Sequence, residues 1–226
     1  MKIGIKQKIL HFLFPTRCPV CGEFIYPEEL FCDECSKKIS HFTGEFSVPG
    51  AERYTAAFVY DKNISPAVIL LKKGICGNAD RALALPLAEK LKKNGTDDSV
   101  DLILPVPMHR RAQRERGYNQ AELIAKIIGR ELRIPVVTDC MVKVRRTAAQ
   151  KELDRIHRRT NLKCAFSVLR PELIRGKSVL VIDDICTTGI TLTELAEVLR
   201  KNGAKKVFCA TACKTPLKPQ TDNTNT

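Results

Sequence analysis

The stretch Val179 to Thr191, VLVIDDICTTGIT, constrains the fold more than any other part of this chain. Val179 to Ile182 form an apolar run suited to a strand buried on both faces, as in a parallel sheet covered by helices. Two adjacent carboxylates, Asp183 and Asp184, follow where that strand is expected to end. Thr187, Thr188, Gly189, Ile190 and Thr191 come next, and then Leu192, Leu195, Ala196, Val198 and Leu199 recur at helix spacing. Strand, acidic pair, Thr/Gly loop and helix make a phosphate-binding layout. Backbone N–H groups and hydroxyls can surround the phosphate, and the helix start contributes positive dipole. Carboxylates beside a phosphate are repelled by it, so they need another partner; a sugar diol with a nearby Mg2+ satisfies them. The bland alternative is a strand ended by Asp and a helix capped by Thr, which needs neither two carboxylates nor three threonines. No GxxxxGK[ST] occurs, so an ATPase reading has little support.

A second pattern lies near the N-terminus: CPVCGEFIYPEELFCDEC, with Cys18, Cys21, Cys32 and Cys35. Two CxxC knuckles separated by ten residues can place four thiolates around one tetrahedral Zn2+. Gly22 supplies the positive φ that such a knuckle favours. So short a segment has little core of its own, and metal binding would supply much of its folding energy. The competing readings are a redox CxxC or buried free cysteines. Lys37, Lys38 and Arg17 face Glu23, Glu28, Glu29, Asp33 and Glu34, so the finger is not especially basic. Docking onto the main domain or a partner is better supported than DNA binding by the finger itself.

The chain holds ten cysteines, yet its lysine-rich opening, MKIGIKQKILHFLF, has an apolar stretch too short to span a bilayer and no small-residue cleavage site. Ile5, Ile9, Phe12 and Leu13 can share one face of a short docking helix, with a membrane-surface role as the alternative. No membrane span is expected, and cysteine usage points to metal binding in a reducing, cytoplasmic setting. A formal net charge of +13 points to anionic partners, phosphorylated metabolites or nucleic acid, without choosing between them.

Residues 1–45 read as an N-terminal helix and finger, 51–213 as an α/β domain, and 214–226 as a disordered polar tail. His41 to Gly50 is a linker. Arg53 to Tyr60 suits a strand; Ser65 and Pro66 begin a helix through Leu71, with Ser65 as its cap; Asn78 to Lys93 suits another helix. Asp101 to Pro105 is a second buried strand. A loop crowded with Arg110, Arg111, Arg114 and Arg116 follows it, and guanidinium forks match the paired oxygens of a diphosphate. Gly117-Tyr118-Asn119-Gln120 leads into an amphipathic helix. Further on, Arg145, Arg146, Arg155, Arg158 and Arg159 can face a diphosphate, nucleic-acid phosphates or solvent. Lys206 to Ala212 would complete the sheet. Cys186, inside the phosphate loop near a helix start, is either a reactive thiolate or a small filler.

The Asp183–Thr191 stretch resembles the ribose-5-phosphate signature of type I phosphoribosyltransferases, which use phosphoribosyl pyrophosphate (PRPP). The resemblance implies that Asp183 and Asp184 hold the ribose 2′- and 3′-hydroxyls, while Thr187, Thr188, Gly189 and Thr191 hold the 5′-phosphate. Ile190 stands where a small residue is more usual. The four-cysteine finger, PVPMHRRAQRERGYNQAE, and RRTAAQKELDRIHRRTN before VLVIDDICTTGIT together look like the ComF family of competence proteins, across nearly the whole chain. That likeness implies a mostly parallel α/β sheet, a structural zinc and a role in natural transformation, where single-stranded DNA passes to a helicase and recombination mediators. If the chain is an enzyme, the implied reaction is substitution at the ribose anomeric carbon. Mg2+, Arg110 to Arg116, and Arg145 with Arg146 would neutralise the diphosphate; no acceptor-recognition element or general base is legible. The other reading is a non-catalytic adaptor that binds a nucleotide or single-stranded DNA. With aromatics at 6% and Tyr118 as a stacking candidate, such binding would rest mainly on phosphates.

Overall fold

In the computed structural model, which describes residues 15–74, 78–144 and 165–216, the apolar run Val179–Ile182 lies in the interior of a parallel sheet, while the run ending at Pro105 forms a strand at its edge. The strands are β1 (Arg53–Val59), β2 (Leu102–Pro105), β3 (Met141–Lys143), β4 (Phe166–Val168), β5 (Ser178–Cys186) and β6 (Lys206–Lys214). The helices are α1 (Asp33–Lys38), α2 (Ser65–Lys73), α3 (Ala79–Lys93), α4 (Arg110–Arg116), α5 (Gln120–Leu132) and α6 (Ile190–Lys201). A four-stranded sheet runs β1-β6-β5-β2, and all its pairings are parallel. β3 and β4 form a separate antiparallel pair.

Side-chain alternation along β5 explains why helices cover both faces of the sheet. Leu180 and Ile182 join a core with Val68 and Leu71 of α2, Leu83 and Leu87 of α3, and Ile124 and Ile128 of α5. Val179 and Val181 face the opposite way and pack with Leu192, Leu195 and Leu199 of α6 and with Met141 and Phe166 of the small sheet. After the acidic pair the alternation breaks: Ile185 packs with the first cluster and Cys186 with the second.

Several boundaries differ from expectation, each for a local reason. β5 does not stop at Ile182 but continues through both aspartates to Cys186, because β6 pairs alongside it as far as Lys214. β6 therefore runs past Ala212, and Lys214, expected in the polar tail, lies inside the strand. The arginine-rich segment after β2 is a helix, α4, rather than a loop; His109 Nδ1 caps it by accepting from the Arg111 N–H at 3.3 Å. Ser65 is the first residue of α2, not its cap, since Asp61 Oδ1 takes the Asn63 and Ile64 N–H groups at the helix entrance. The expected N-terminal helix, Arg145, Arg146 and most of the polar tail lie outside the described residues.

Candidate functional site

Asp183 and Asp184 sit at the carboxyl end of β5, the edge of a parallel sheet where the following loops open a crevice. Both are half-buried. Asp183 Oδ1 accepts from the Asp184 N–H at 2.9 Å, and Asp184 Oδ1 accepts from the Ile185 N–H at 2.8 Å. Each carboxylate is thus held by the backbone of its own strand. Asp184 Oδ2 lies 3.3 Å from Lys72 Nζ of α2. Burial raises the Asp183 carboxyl well above its ordinary range, the neighbouring Asp184 charge pushes it further up, and Lys72 pulls it partly back.

Thr187, Thr188 and Gly189 then bridge β5 to α6. Gly189 has φ +81°, and a Cβ there would stand 2.9 Å from Phe46 Cζ, so backbone angle and lack of space both demand glycine. Ile190, the residue that departs from the related signature, is the first residue of α6, and Thr191 follows it. The five sequence-assigned loop residues are therefore contiguous across a tight turn and a helix start, within a few residues of the acidic pair. Cys186 is buried, and burial pushes its thiol up despite hydrogen bonds from Tyr54 and the Gly189 backbone. At 3% exposure with a raised thiol, Cys186 fits the filler reading better than the reactive-thiolate one, since desolvation works against the helix start.

Lys214 was missed as a site residue because a lysine among polar and proline residues reads as tail. It is only 2% exposed. Its Nζ donates to Thr187 O and Thr215 O, both at 2.7 Å, and sits 4.3 Å from the Phe46 ring centroid. The legible signal is parity: FCATACK continues an apolar strand run to its last residue.

A second basic wall begins at the same edge of the sheet. β2 pairs with β5 in the register Pro105↔Ile182, so the chain leaves β2 beside the aspartates and enters α4 after four intervening residues. Asn119 fixes the far end of α4: its Nδ2 donates to Val106 O at 2.9 Å while its Oδ1 accepts from the Ala121 N–H at 3.1 Å to cap α5. Arg110, Arg111 and Arg114 are exposed and line a groove of about 630 Å³ with His109, Val142, Lys143, Val144 and Leu169. Arg111 Nε also meets Glu115 Oε1 at 3.0 Å. Burial lowers the Lys143 ammonium, while the charges of Asp183 and Glu194 act to raise it, which ties this groove electrostatically to the acidic pair. Val144 and Leu169 are 52% and 53% exposed, so the groove has apolar as well as cationic walls. Tyr118, the stacking candidate, is half-buried: its hydroxyl donates to Leu71 O, and its ring lies against Gly74.

The four cysteines of the finger converge. Their Sγ atoms all lie within 4.8 Å of one another, with Cys21 and Cys32 at 3.6 Å. A tetrahedral zinc with Zn–S bonds of ~2.3 Å has sulfur–sulfur separations of ~3.8 Å, so the donor set fits. Burial opposes ionisation of Cys18, but the backbone amides of Cys21, Cys32 and Val20 bring its thiol down to about 7. Gly22 adopts φ +82°, as the knuckle requires. The finger docks on the main domain: Phe31 meets Phe58 of β1 edge-on at 5.9 Å, Asn78 Nδ2 donates to Glu29 O at 3.1 Å, and Arg81 Nη1 donates to Pro27 O at 2.9 Å.

Comparison with known proteins agrees with both halves of this arrangement. The Phosphoribosyl transferase domain family matches residues 119–225, and the Double zinc ribbon domain family matches residues 9–46. That second segment contains Cys18, Cys21, Cys32 and Cys35 and no further cysteine, enough for one structural zinc. The chain is 30% identical over 204 residues to the DNA utilization protein YhgH of Escherichia coli (strain K12), covering 88% of this chain and 85% of that one. It is 31% identical over 211 residues to Competence protein F of Haemophilus influenzae, covering 90% and 86%. Among solved structures, the purine phosphoribosyltransferase from Pyrococcus horikoshii Ot3 is 20% identical, with a TM-score of 0.36 over 62% of this chain and 78% of that one. Among the described residues, no helix is long and apolar enough to cross a membrane.

Proposed function

This chain belongs to the ComF family of competence and DNA-utilization proteins, and on that premise we propose that its α/β domain binds PRPP, or a closely related ribose 5-phosphate, together with Mg2+. The observation that carries the reading is the joining of a half-buried acidic pair to a glycine-pinned turn and helix start on one strand end. A phosphate and a diol that are covalently linked satisfy both at once. Thr187, Thr188, Gly189, Ile190 and Thr191 would hold the 5′-phosphate through backbone N–H groups and hydroxyls. Asp183 and Asp184 would take the ribose hydroxyls, each carboxylate oxygen accepting from an O–H. Arg110 and Arg111, at the start of α4, would face the diphosphate, and Arg145 and Arg146 are assigned the same role from sequence.

Carboxylate oxygens at the crevice are the hard donors that Mg2+ prefers, so Asp183 and Asp184 are the side chains here that would help hold it. When bound, the ion offsets the charge of the diphosphate. As an enzyme, the domain would carry substitution at the anomeric carbon, with diphosphate leaving. The acidic pair would then lie close to the positive charge that builds on the ribose ring, and the chain would contribute mainly positioning and fixed charge. The setting would be the cytoplasmic handling of imported DNA, with a competence helicase and a recombination mediator as partners.

One observation favours a second reading, that of a DNA-binding adaptor. The groove between α4 and β3 combines three arginines and a lysine with exposed Val144 and Leu169, which suits the phosphates and bases of a single strand. Calorimetric titration of PRPP with Mg2+ into zinc-loaded protein, beside the Asp183→Asn/Asp184→Asn double variant, tests the first reading. Binding by the wild type that is lost in the variant is expected. No binding by a folded wild type overturns the PRPP assignment and leaves the adaptor reading, to be tested with labelled oligonucleotides.

A further inference from the structure

Lys214 ends β6 directly beneath the turn that joins β5 to α6, and it is almost wholly buried. Among the described residues no carboxylate lies within ion-pair distance of its Nζ. Its acceptors are two neutral carbonyls, Thr187 O and Thr215 O, and its Nζ also lies over the face of Phe46. An ammonium desolvated without an anion is costly, and that cost persists unless something in the folded protein or its ligand offsets it.

The geometry shows where the anion belongs. A trans peptide group is planar, so its C=O and N–H point in opposite directions. Lys214 draws the Thr187 carbonyl inward, which turns the Thr188 N–H outward, into the loop's outer side. Phe46, whose face lies against Lys214, also stands 2.9 Å from the place a Cβ on Gly189 would occupy. Lys214 thus holds the Thr187 carbonyl while the Phe46 ring fills the space beside Gly189. Beside them, the Thr215 hydroxyl oxygen is buried with no hydrogen-bond partner, which marks the same corner as incompletely satisfied.

We propose that Lys214 is a positioning residue of the phosphate loop and supplies the buried counter-charge for a phosphate monoester dianion bound there. This rests on the reading of Thr187 to Thr191 as a phosphate site, and adds to it a residue that touches the loop from below rather than the ligand. The loop then combines outward backbone donors with a full positive charge one peptide away. That arrangement discriminates a dianion from a monoanion more strongly than a helix start alone, whose partial charge is about half a unit.

The titratable groups facing Lys214 are few. Cys186 of β5 acts on it directly, and Tyr54 of β1 hydrogen-bonds to Cys186; burial pushes both above their ordinary values. Burial lowers the Lys214 ammonium itself. A phosphate monoester is already dianionic above pH ~7. Between there and the ordinary lysine value of ~10.4, a loss of phosphate affinity seen in the wild type and absent from Lys214→Met reports Lys214.

The test titrates ribose 5-phosphate into wild-type, Lys214→Met and Lys214→Arg proteins between pH 7 and pH 10, with thermal melts of each. Expected at pH 7.5 is a loss of about tenfold or more in Lys214→Met, the order of ~1.4 kcal/mol. Thermal melts of Lys214→Met show whether loss of the Thr187 and Thr215 carbonyl bonds, rather than of the charge, accounts for any loss of affinity. Lys214→Arg should recover most of the affinity, and wild-type affinity should fall with rising pH while that of Lys214→Met stays flat. Absence of wild-type binding at every pH defeats the phosphate-site reading itself. Wild-type binding matched by Lys214→Met overturns the role of Lys214 alone. Equal loss in both variants with a flat wild-type pH profile assigns Lys214 to packing and also overturns the proposal. Should Lys214→Met fail to fold, the wild-type pH profile and Lys214→Arg decide by the same criteria.

Discussion

The Thr187–Thr191 loop and the α4 helix both offer positive potential to an anion, and they do so by opposite means. The loop uses backbone, a buried lysine and a turn that only glycine fits. α4 uses long, exposed arginine side chains on a helix with no buried residue of its own. Donors fixed in the backbone lose little entropy on binding and hold one shape of ligand. Exposed arginines are screened by salt and follow any chain of phosphates. The first suits recognition of a small phosphorylated molecule, and the second suits a less selective grip on diphosphate or a nucleic-acid strand.

Replacing Arg110, Arg111 and Arg114 together by Ala would break the contrast most visibly. Oligonucleotide affinity should fall about 100-fold at low salt, and the slope of log affinity against log salt should shrink by about 2, at roughly 0.7 per phosphate contact. Fluorescence anisotropy at several salt concentrations measures both; an unchanged slope would remove α4 from the DNA-binding surface. Ribose 5-phosphate affinity of the same variant should change little.

Gly189→Ala tests the other side. The left-handed angle costs a Cβ-bearing residue ~1–2 kcal/mol, and the approach of Phe46 adds to it, so calorimetry should show at least a tenfold loss for ribose 5-phosphate. Oligonucleotide binding should be retained. Equal loss of both ligands would mean that loop and helix form a single site.

Asp183 separates binding from stability. Its folded carboxyl is raised above the unfolded value by burial and by Asp184, so between those two values the folded state holds more proton than the unfolded one. Stability then falls as pH rises through that window. Asp183→Asn removes the titration, and at neutral pH it should melt a few degrees above the wild type, with the difference closing as pH drops toward ~4. A melting difference independent of pH would show that Asp183 carries no such penalty. The smallest effect is expected from Lys72→Met. Lys72 is over a third exposed in its pair with Asp184, and exposed ion pairs contribute ~0–1 kcal/mol, so denaturant unfolding should shift by less than that.

How much was legible varies with the range of the physics involved. The β5 run, the acidic pair, the glycine turn and α6 are local patterns, and the structure keeps them in the expected order. The zinc knuckles are also local, since CxxC spacing nearly dictates convergence once two such pairs are joined. Strand ends were misjudged because pairing with a distant neighbour sets them: β5 extends through Asp184 only because β6 lies beside it. The α4 segment read as loop because four arginines hide a helix whose cap, His109, and whose end, Gly117, are ordinary residues until seen in place.

Residue types and spacings alone pointed to a phosphate-binding layout and a four-thiolate metal site, and fixed a strong positive charge. Tertiary structure decided which charges act. It carried Lys214 from an expected tail into the core beneath the Thr187–Thr191 loop, set Lys72 against Asp184, and buried the Cys186 thiol. The physical reason is common to all three. Charge and reactivity depend on solvation and on neighbours far away in sequence, and strand pairing and helix packing on the sheet set both.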